Sequence, residues 1–297
     1  MIAEVWIEAQ WTAVLCHRYR WTHLLAIIAR ALSTAADPPR YESGMKALIL
    51  SAGQGSRLLP LTADKPKCLL PIGPLSLIEW QISELTVCGV DEVVVVVGYG
   101  ADQVEAVLDR QRRPGLSIRT VFNPFFNVAD NLASCWLARH EMDRDFLIVN
   151  GDTLFEADVL RTVLDSPDAP ITITIDRKRA YDADDMKVEV VGTRLAAVGK
   201  TLSAEQTNGE SIGMLLFRGR GPTLFADMLD QFMHTPEGLK TWYLRVIDRL
   251  AKTGVVEAVS IEGKAWGEVD FLEDLERARQ MVASWTSELP KSLASSS

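Results

Sequence analysis

Met45-Lys46-Ala47-Leu48-Ile49-Leu50-Ser51-Ala52-Gly53-Gln54-Gly55-Ser56-Arg57-Leu58 runs from an extended apolar segment straight into a loop with two glycines and a basic residue. Lys46 to Leu50 reads as a buried strand, and glycine after it lets the backbone approach a ligand with its N–H groups free to donate. Outward from that strand, apolar runs alternate with helical spacing: helix Leu77–Cys88, strand Glu92–Val97, helix Gln103–Arg110, strand Ile118–Phe122, helix Ala129–Glu141 and strand Phe146–Val149. Val93 to Val97 is apolar on both faces, the pattern of a parallel sheet covered by helices on each side. Ligands of such sheets lie past the C-terminal strand ends, so a site is expected just after Leu50 and just after Val149.

From Pro170 the pattern turns strand-rich, with Ile171 to Ile175, Met186 to Val191, Leu195 to Val198 and Ser211 to Phe217, then helices at Pro222 to Met233 and Leu239 to Lys252. A last strand, Val255 to Ile261, leads through Trp266 to Asp270 into a helix from Leu272 to Val282. The expected fold is α/β: a three-layer α/β/α arrangement around a mostly parallel mixed central sheet, with a small strand-rich lobe built onto it.

Composition agrees. The chain has 297 residues, 47% hydrophobic and 24% charged, which excludes disordered, collagen-like and disulfide-dense classes. No apolar run reaches the roughly 18 residues of a membrane span, and Cys16, Cys68, Cys88 and Cys135 form no C-x-x-C pair, so a soluble, cytoplasmic protein without zinc is expected. Residues 1–44 stand apart. Glu4 and Glu8 occupy positions where a secretory signal is basic, and the helix-like spacing from Trp11 to Leu32 breaks at Asp37-Pro38-Pro39. Met45 makes a natural start for a domain spanning 45–286, which leaves 1–44 as an added outer helix or as a stretch upstream of the true start. Residues 287–297 read as a flexible tail.

The net charge of −9 argues against a general binder of nucleic acid or of an anionic membrane surface, and the short apolar runs argue against membrane insertion. An anionic ligand therefore needs a local patch. Between 45 and 67 stand Lys46, Arg57, Lys65 and Lys67 against Asp64 alone. Glycines beside such charge fit a phosphate cradle, although a bare G-x-G also fits an ordinary turn with a solvated basic edge. The dinucleotide fingerprint fails where Leu58 replaces its third glycine, and no P-loop pattern occurs, so hydride transfer and P-loop hydrolysis lose ground.

The order Ser51-Ala52-Gly53-x-Gly55-x-Arg57-Leu58-x-Pro60-x-Thr62, then Lys65-Pro66-Lys67-x-Leu69, resembles the signature of the nucleoside-triphosphate nucleotidyltransferase family. Asn123-Pro124 with Asp130-Asn131-Leu132-Ala133-Ser134, Asp185-Met186-Lys187-Val188 with Gly209-Glu210-Ser211-Ile212-Gly213, and Trp266-Gly267-Glu268-Val269-Asp270 are similar to the phosphocholine and phosphonate cytidylyltransferase branch. The likeness spans about residues 45 to 282.

That resemblance implies a Rossmann-like fold and attack by a phosphate or phosphonate oxygen on the α-phosphorus of a bound nucleoside triphosphate, expelling pyrophosphate. It implies nucleotide contacts at Leu50, Ser51, Ala52, Gly53, Gly55 and Ser56. It makes Arg57 the residue that holds the leaving pyrophosphate and Lys67 the one that steadies the α-phosphate. A phosphomonoester has a second pKa near 6, so the attacking oxygen needs charge neutralisation more than a general base. His17, His23, His140 and His234 accordingly lie outside every motif.

Mg2+ needs hard oxygen ligands. Asp152 follows the strand ending at Val149 and Asp270 follows the last strand, so both fall near strand ends where they could share one ion. Each also reads as a helix cap. The family likeness puts the helix near Asn131 beside the nucleobase, with Asn131 and Ser134 on a pyrimidine edge, while Ser134 also fits an ordinary helix position with Asp130 as its cap. For the acceptor, Tyr181, Trp242, Tyr243 and Trp266 with Asp184, Asp185, Glu210 and Glu268 match the residue types of a quaternary-ammonium cage. Each aromatic fits a core position as well. Lys187 and Lys200 are candidate contacts for the acceptor phosphate. Three readings stay open: a magnesium-dependent cytidylyltransferase using CTP, a sugar-1-phosphate nucleotidylyltransferase using UTP, GTP or dTTP, and a catalytically silent nucleotide-binding module.

Overall fold

Strand β1 (Met45–Ser51) is an interior strand, third from one edge of a nine-stranded sheet. Its alternation decides the layers: Ala47 and Ile49 face one core, Leu48 faces the other. The computed structural model describes residues 44–287, and the expectations for the N-terminal extension and the tail lie outside them.

The helices are α1 (Leu77–Val87), α2 (Ala101–Gln111), α3 (Asn131–Leu137), α4 (Ala157–Leu164), α5 (Gly221–Met233), α6 (Tyr243–Ala251) and α7 (Leu272–Ser287). The strands after β1 are β2 (Val90–Val97), β3 (Ser117–Phe122), β4 (Phe146–Asn150), β5 (Thr153–Phe155), β6 (Ile171–Asp176), β7 (Lys187–Val191), β8 (Arg194–Val198), β9 (Gly209–Phe217), β10 (Val256–Ser260) and β11 (Trp266–Glu268). The sheet order is β3-β2-β1-β4-β9-β6-β10-β8-β7. Its first four strands are parallel, and β9 runs antiparallel to both β4 and β6. The strand-rich part expected from Pro170 onward is thus the far half of the same sheet, with β7 also pairing β9 through Lys187↔Glu210.

Helices α3, α5 and α6 cover one face with Leu132, Phe225 and Ile247. Helices α1, α2 and α4 cover the other with Ile82, Val104 and Leu160. A third cluster joins Leu58 and Leu70 of the signature region to Leu275, Ala278 and Val282 of α7, with Trp80 and Trp285 stacked at 5.6 Å. This cluster pins the C-terminal helix against the glycine loop.

Two expected helices are shorter than their patterns. The one from Ala129 begins at Asn131, and the one from Leu239 is a single turn (Gly238–Lys240) followed by α6, with Trp242 at its N-cap. Among the described residues, no helix is long and apolar enough to cross a membrane, and Cys68, Cys88 and Cys135 are buried and unpaired.

Candidate active site

The chain leaves β1 for β2 and β3 on one side and returns to β4 on the other, so the strand order reverses between β1 and β4. Ligand crevices form at such reversals. Here the end of β1 becomes the glycine loop, and the end of β4 becomes Gly151-Asp152.

Gly55 shows why the loop needs glycine. Its φ is +77°, and a Cβ there would stand 2.8 Å from Lys67 Cβ, so the stem of Lys67 lies directly on the loop. Thr62 Oγ1 donates to the Gly55 carbonyl at 2.8 Å and closes the loop on itself. Gly151 is equally confined: a Cβ would meet the Leu50 carbonyl and Ser51 Oγ at 2.4 Å, which sets Asp152 close against the end of β1.

Asp270 arrives from the other end of the sequence. Strands β5 and β11 form a two-stranded antiparallel ladder pairing Glu268↔Thr153, and the Val269 N–H donates to the Asp152 carbonyl at 3.1 Å. This ladder brings the two aspartates together. The α7 capping role falls to Asp274, whose carboxylate accepts from the Asp270 and Phe271 N–H groups, so Asp270's carboxylate is not the cap.

Lys67 Nζ lies between the two acids, donating to Asp152 Oδ2 at 2.8 Å and Asp270 Oδ1 at 2.9 Å. Arg57 Nη1 lies 3.4 Å from Asp270 Oδ2, and its guanidinium stands over the Phe271 ring at 5.3 Å. Burial works against charge on Lys67, but Asp152 and Asp270 outweigh it and hold the amine well above the ordinary lysine range. For Asp270, burial is likewise overcome by Lys67 and Arg57, which keep its carboxyl below the usual range.

The loop separates two cavities. A pocket of about 220 Å3 is lined by Leu50, Ala52, Gly53, Asn131, Ser134 and Trp242, among others. A larger cleft, about 680 Å3, opens on the other side past Arg57 and Asp270 toward Lys178, Lys200, Glu210 and Trp266. Lys200 lines the cleft and reaches over the ring of Trp242, a wall of the smaller pocket, at 4.9 Å.

The sequence-derived candidates sort as follows. Arg57, Lys67, Asp152 and Asp270 come together, and Leu50, Ala52, Gly53, Asn131 and Ser134 share the smaller pocket. Ser56 is exposed at the start of a short helical turn, whereas Ser51 is buried beside Gly151 and Cys68 and does not line either cavity. Asn131 Oδ1 accepts from the Tyr243 N–H and Ser134 Oγ from Asn123 Nδ2, so each already has one protein partner.

The expected aromatic cage does not form. Tyr243 is fully buried and donates its hydroxyl to Asn150 Oδ1, because it is the first residue of α6 and turns into the core. Trp242 lines the other pocket, and Tyr181 faces Lys178 at 5.8 Å rather than the cleft. Trp266 does line the cleft, with its indole N–H donated to Asp176 at 2.8 Å. Lys187 is also corrected: its ammonium donates to the Asp182 and Lys200 carbonyls and braces the loop before β7. Lys200 and Glu210 do line the cleft.

Two contributors were not read from sequence. Gln81, fully buried on α1, donates to both the Asn150 and Thr153 carbonyls at 2.8 Å and so spans the turn that carries Asp152. A polar residue on an apolar helix face was the available signal. Lys178 places its ammonium 2.8 Å from both Asp185 and Glu210. Burial pushes the Glu210 carboxyl up to about 7, against the pull of Lys178.

The donor set fits a hard divalent cation. Asp152 Oδ1 is buried without a hydrogen-bond partner, beside a second carboxylate that shares the same ammonium. Among the described residues no group of three or more His, Cys, Asp or Glu could enclose a metal, so two carboxylates would need oxygens from phosphate and water.

Residues 46–185 match the family described as nucleotidyl transferase. A CTP:phosphoglutamine cytidylyltransferase of Campylobacter jejuni is 27% identical over 256 residues, 78% of this chain and 98% of that protein. A choline-phosphate cytidylyltransferase of Streptococcus pneumoniae is 33% identical over 112 residues, 38% of this chain and 47% of that relative. The solved inositol-1-phosphate CTP transferase of T. maritima shares the fold at a TM-score of 0.69 and 22% identity, covering 84% of this chain and 98% of that one. With its signature loop at the β1–β4 reversal and these relatives, the chain belongs to the nucleotidyltransferase family, on the side where cytidylyltransferases are found.

Proposed function

We propose that this enzyme transfers CMP from CTP to the phosphate or phosphonate oxygen of a small acceptor that also carries a protonated amine, releasing pyrophosphate. The observation that carries this reading is the convergence of Arg57, Lys67, Asp152 and Asp270 on the loop between the two cavities. The smaller pocket suits the base and the cleft the acceptor, which leaves the triphosphate along the loop. Cytidylyltransferases among the relatives support CTP.

In this reading the acceptor oxygen attacks the α-phosphorus. The bond from that phosphorus to pyrophosphate breaks, and the pyrophosphate leaves with the electron pair. Two anions must meet, so the barrier is electrostatic. Lys67 neutralises the α-phosphate and Arg57 the departing pyrophosphate. No side chain needs to take a proton from an acceptor already dianionic at pH 7. A magnesium ion held by Asp152 and Asp270 would supply further positive charge to the phosphate oxygens.

The amine follows from the cleft wall. Its carboxylates outnumber its cations two to one, and the Lys178 ammonium already rests on Asp185 and Glu210. A cation with N–H donors satisfies such carboxylates, whereas a quaternary ammonium needs aromatic faces, and among the described residues the aromatic rings lining the cleft are those of Trp266 and Phe271. The test crosses CTP, UTP, GTP and dTTP with phosphoethanolamine, aminoethylphosphonate, phosphocholine and glucose 1-phosphate in a pyrophosphate-release assay. CTP with the primary amines should give the highest kcat/KM. Turnover confined to UTP or dTTP with glucose 1-phosphate would replace this reading, and triphosphate binding without turnover would favour a silent module.

A further inference from the structure

We infer that the ammonium of Lys67 is a placeholder for the divalent cation, held between Asp152 and Asp270 until nucleotide arrives, so that metal and nucleotide enter the site together. The inference rests on the metal site of the proposed function and adds a second role for Lys67. Asp152 and Asp270 come from strand ends far apart in sequence, yet both reach one nitrogen at 2.8 and 2.9 Å. A divalent ion coordinated at about 2.0–2.1 Å by the same two carboxylates cannot share that space with an ammonium. The choice between them is exclusive.

Lys67 is what makes the close approach of the two carboxylates tolerable. Without it, two carboxylates would face each other with no cation between them, and one of their oxygens, Asp152 Oδ1, is already buried without a hydrogen-bond partner. The lysine stem is fixed on Gly55, inside the loop read as the phosphate cradle. Phosphates arriving there give the ammonium a new anionic partner, while the vacated carboxylates gain a cation. Each ligand then raises the affinity of the other, because each removes the cost of displacing Lys67. Metal alone must displace the lysine with nothing to receive it, and should bind weakly.

The test titrates Mn2+ alone into the protein, followed by calorimetry and water-proton relaxation, with no turnover required. Lys67→Met should bind Mn2+ at least about tenfold more tightly than wild type, because a positive charge leaves the coordination space. Lys67→Arg keeps the charge and should stay weak, and Lys67→Met with Asp152→Asn should lose the gain. In chelator, Lys67→Met should melt below wild type and recover with Mn2+. If Lys67→Met does not fold, Lys67→Gln makes the same comparison. Equal Mn2+ affinity in wild type and a folded neutral variant overturns the placeholder and leaves the metal site standing. No Mn2+ binding by any variant, even with a non-hydrolysable CTP analogue, overturns the metal site and the placeholder with it.

Discussion

Gly55→Ala tests the loop most sharply, because the structure sets two independent costs at that position. A side chain at φ +77° costs about 1–2 kcal/mol of backbone strain. At about 2–4 °C per kcal/mol for a domain of this size, Tm should fall by a few degrees. The new methyl would also lie 2.8 Å from Lys67 Cβ and 3.0 Å from its Cδ. Carbon atoms rest at about 3.5 Å, so the lysine stem must retreat by roughly 0.7 Å. Its 2.8 and 2.9 Å bonds to Asp152 and Asp270 would then stretch to the edge of hydrogen bonding. Misplacement on that scale at the reacting centre should lower kcat by about 10²-fold. Gly53→Ala is the control: nothing lies within 4 Å of its would-be Cβ and it lines the smaller pocket, so Tm should hold while KM for CTP rises. Pyrophosphate release and thermal melts of both variants decide the matter. A Gly55→Ala enzyme within about threefold of wild-type kcat would refute the reasoning.

Three further outcomes are expected. Gln81→Leu should lose about 1–3 kcal/mol for each of the two carbonyls it leaves unpaired, with kcat falling as the Asp152 turn loosens; chemical denaturation and turnover measure the two effects. Glu210 titrates near 7, above the ordinary carboxyl value of 4.5, so it contributes stability with its proton bound, and that contribution fades as pH rises from 4.5 through 7. KM for an amine acceptor should correspondingly fall between pH 6 and 8 as Glu210 ionises, and Glu210→Gln should flatten both trends. Lys46→Met removes an ammonium that is 2% exposed and donates to Glu141 and Asp143 at the opposite rim. It should cost about 1.5–3 kcal/mol in melts and leave saturated turnover unchanged.

Much of this was legible in the chain because the signal was local. The β1 strand, the two glycines and the two basic residues lie within 23 positions, and the apolar periodicity that follows is strong enough to mark strands alternating with helices, although not their order in the sheet. What stayed hidden depended on pairing at long range. The β5–β11 ladder has three residues per strand and joins Thr153 to Glu268, too short to show a period, yet it alone explains how Asp270 meets Asp152. The aromatic cage failed for a related reason: residue type does not tell direction. Trp242 and Tyr243 are neighbours at the start of α6, and one faces a pocket while the other fills the core. Gln81 is one polar residue on a largely apolar helix, and its role follows only from its two carbonyl partners, which lie far from it in sequence.

A double-mutant cycle of Asp152→Asn and Asp270→Asn, read as kcat for pyrophosphate release from CTP, tests most directly whether these acids serve one centre. Each single change should cost about 10²-fold or more, and the double should be little worse than the poorer single, as for groups that act as a unit. Losses that multiply, or full activity in either single variant, would contradict the account.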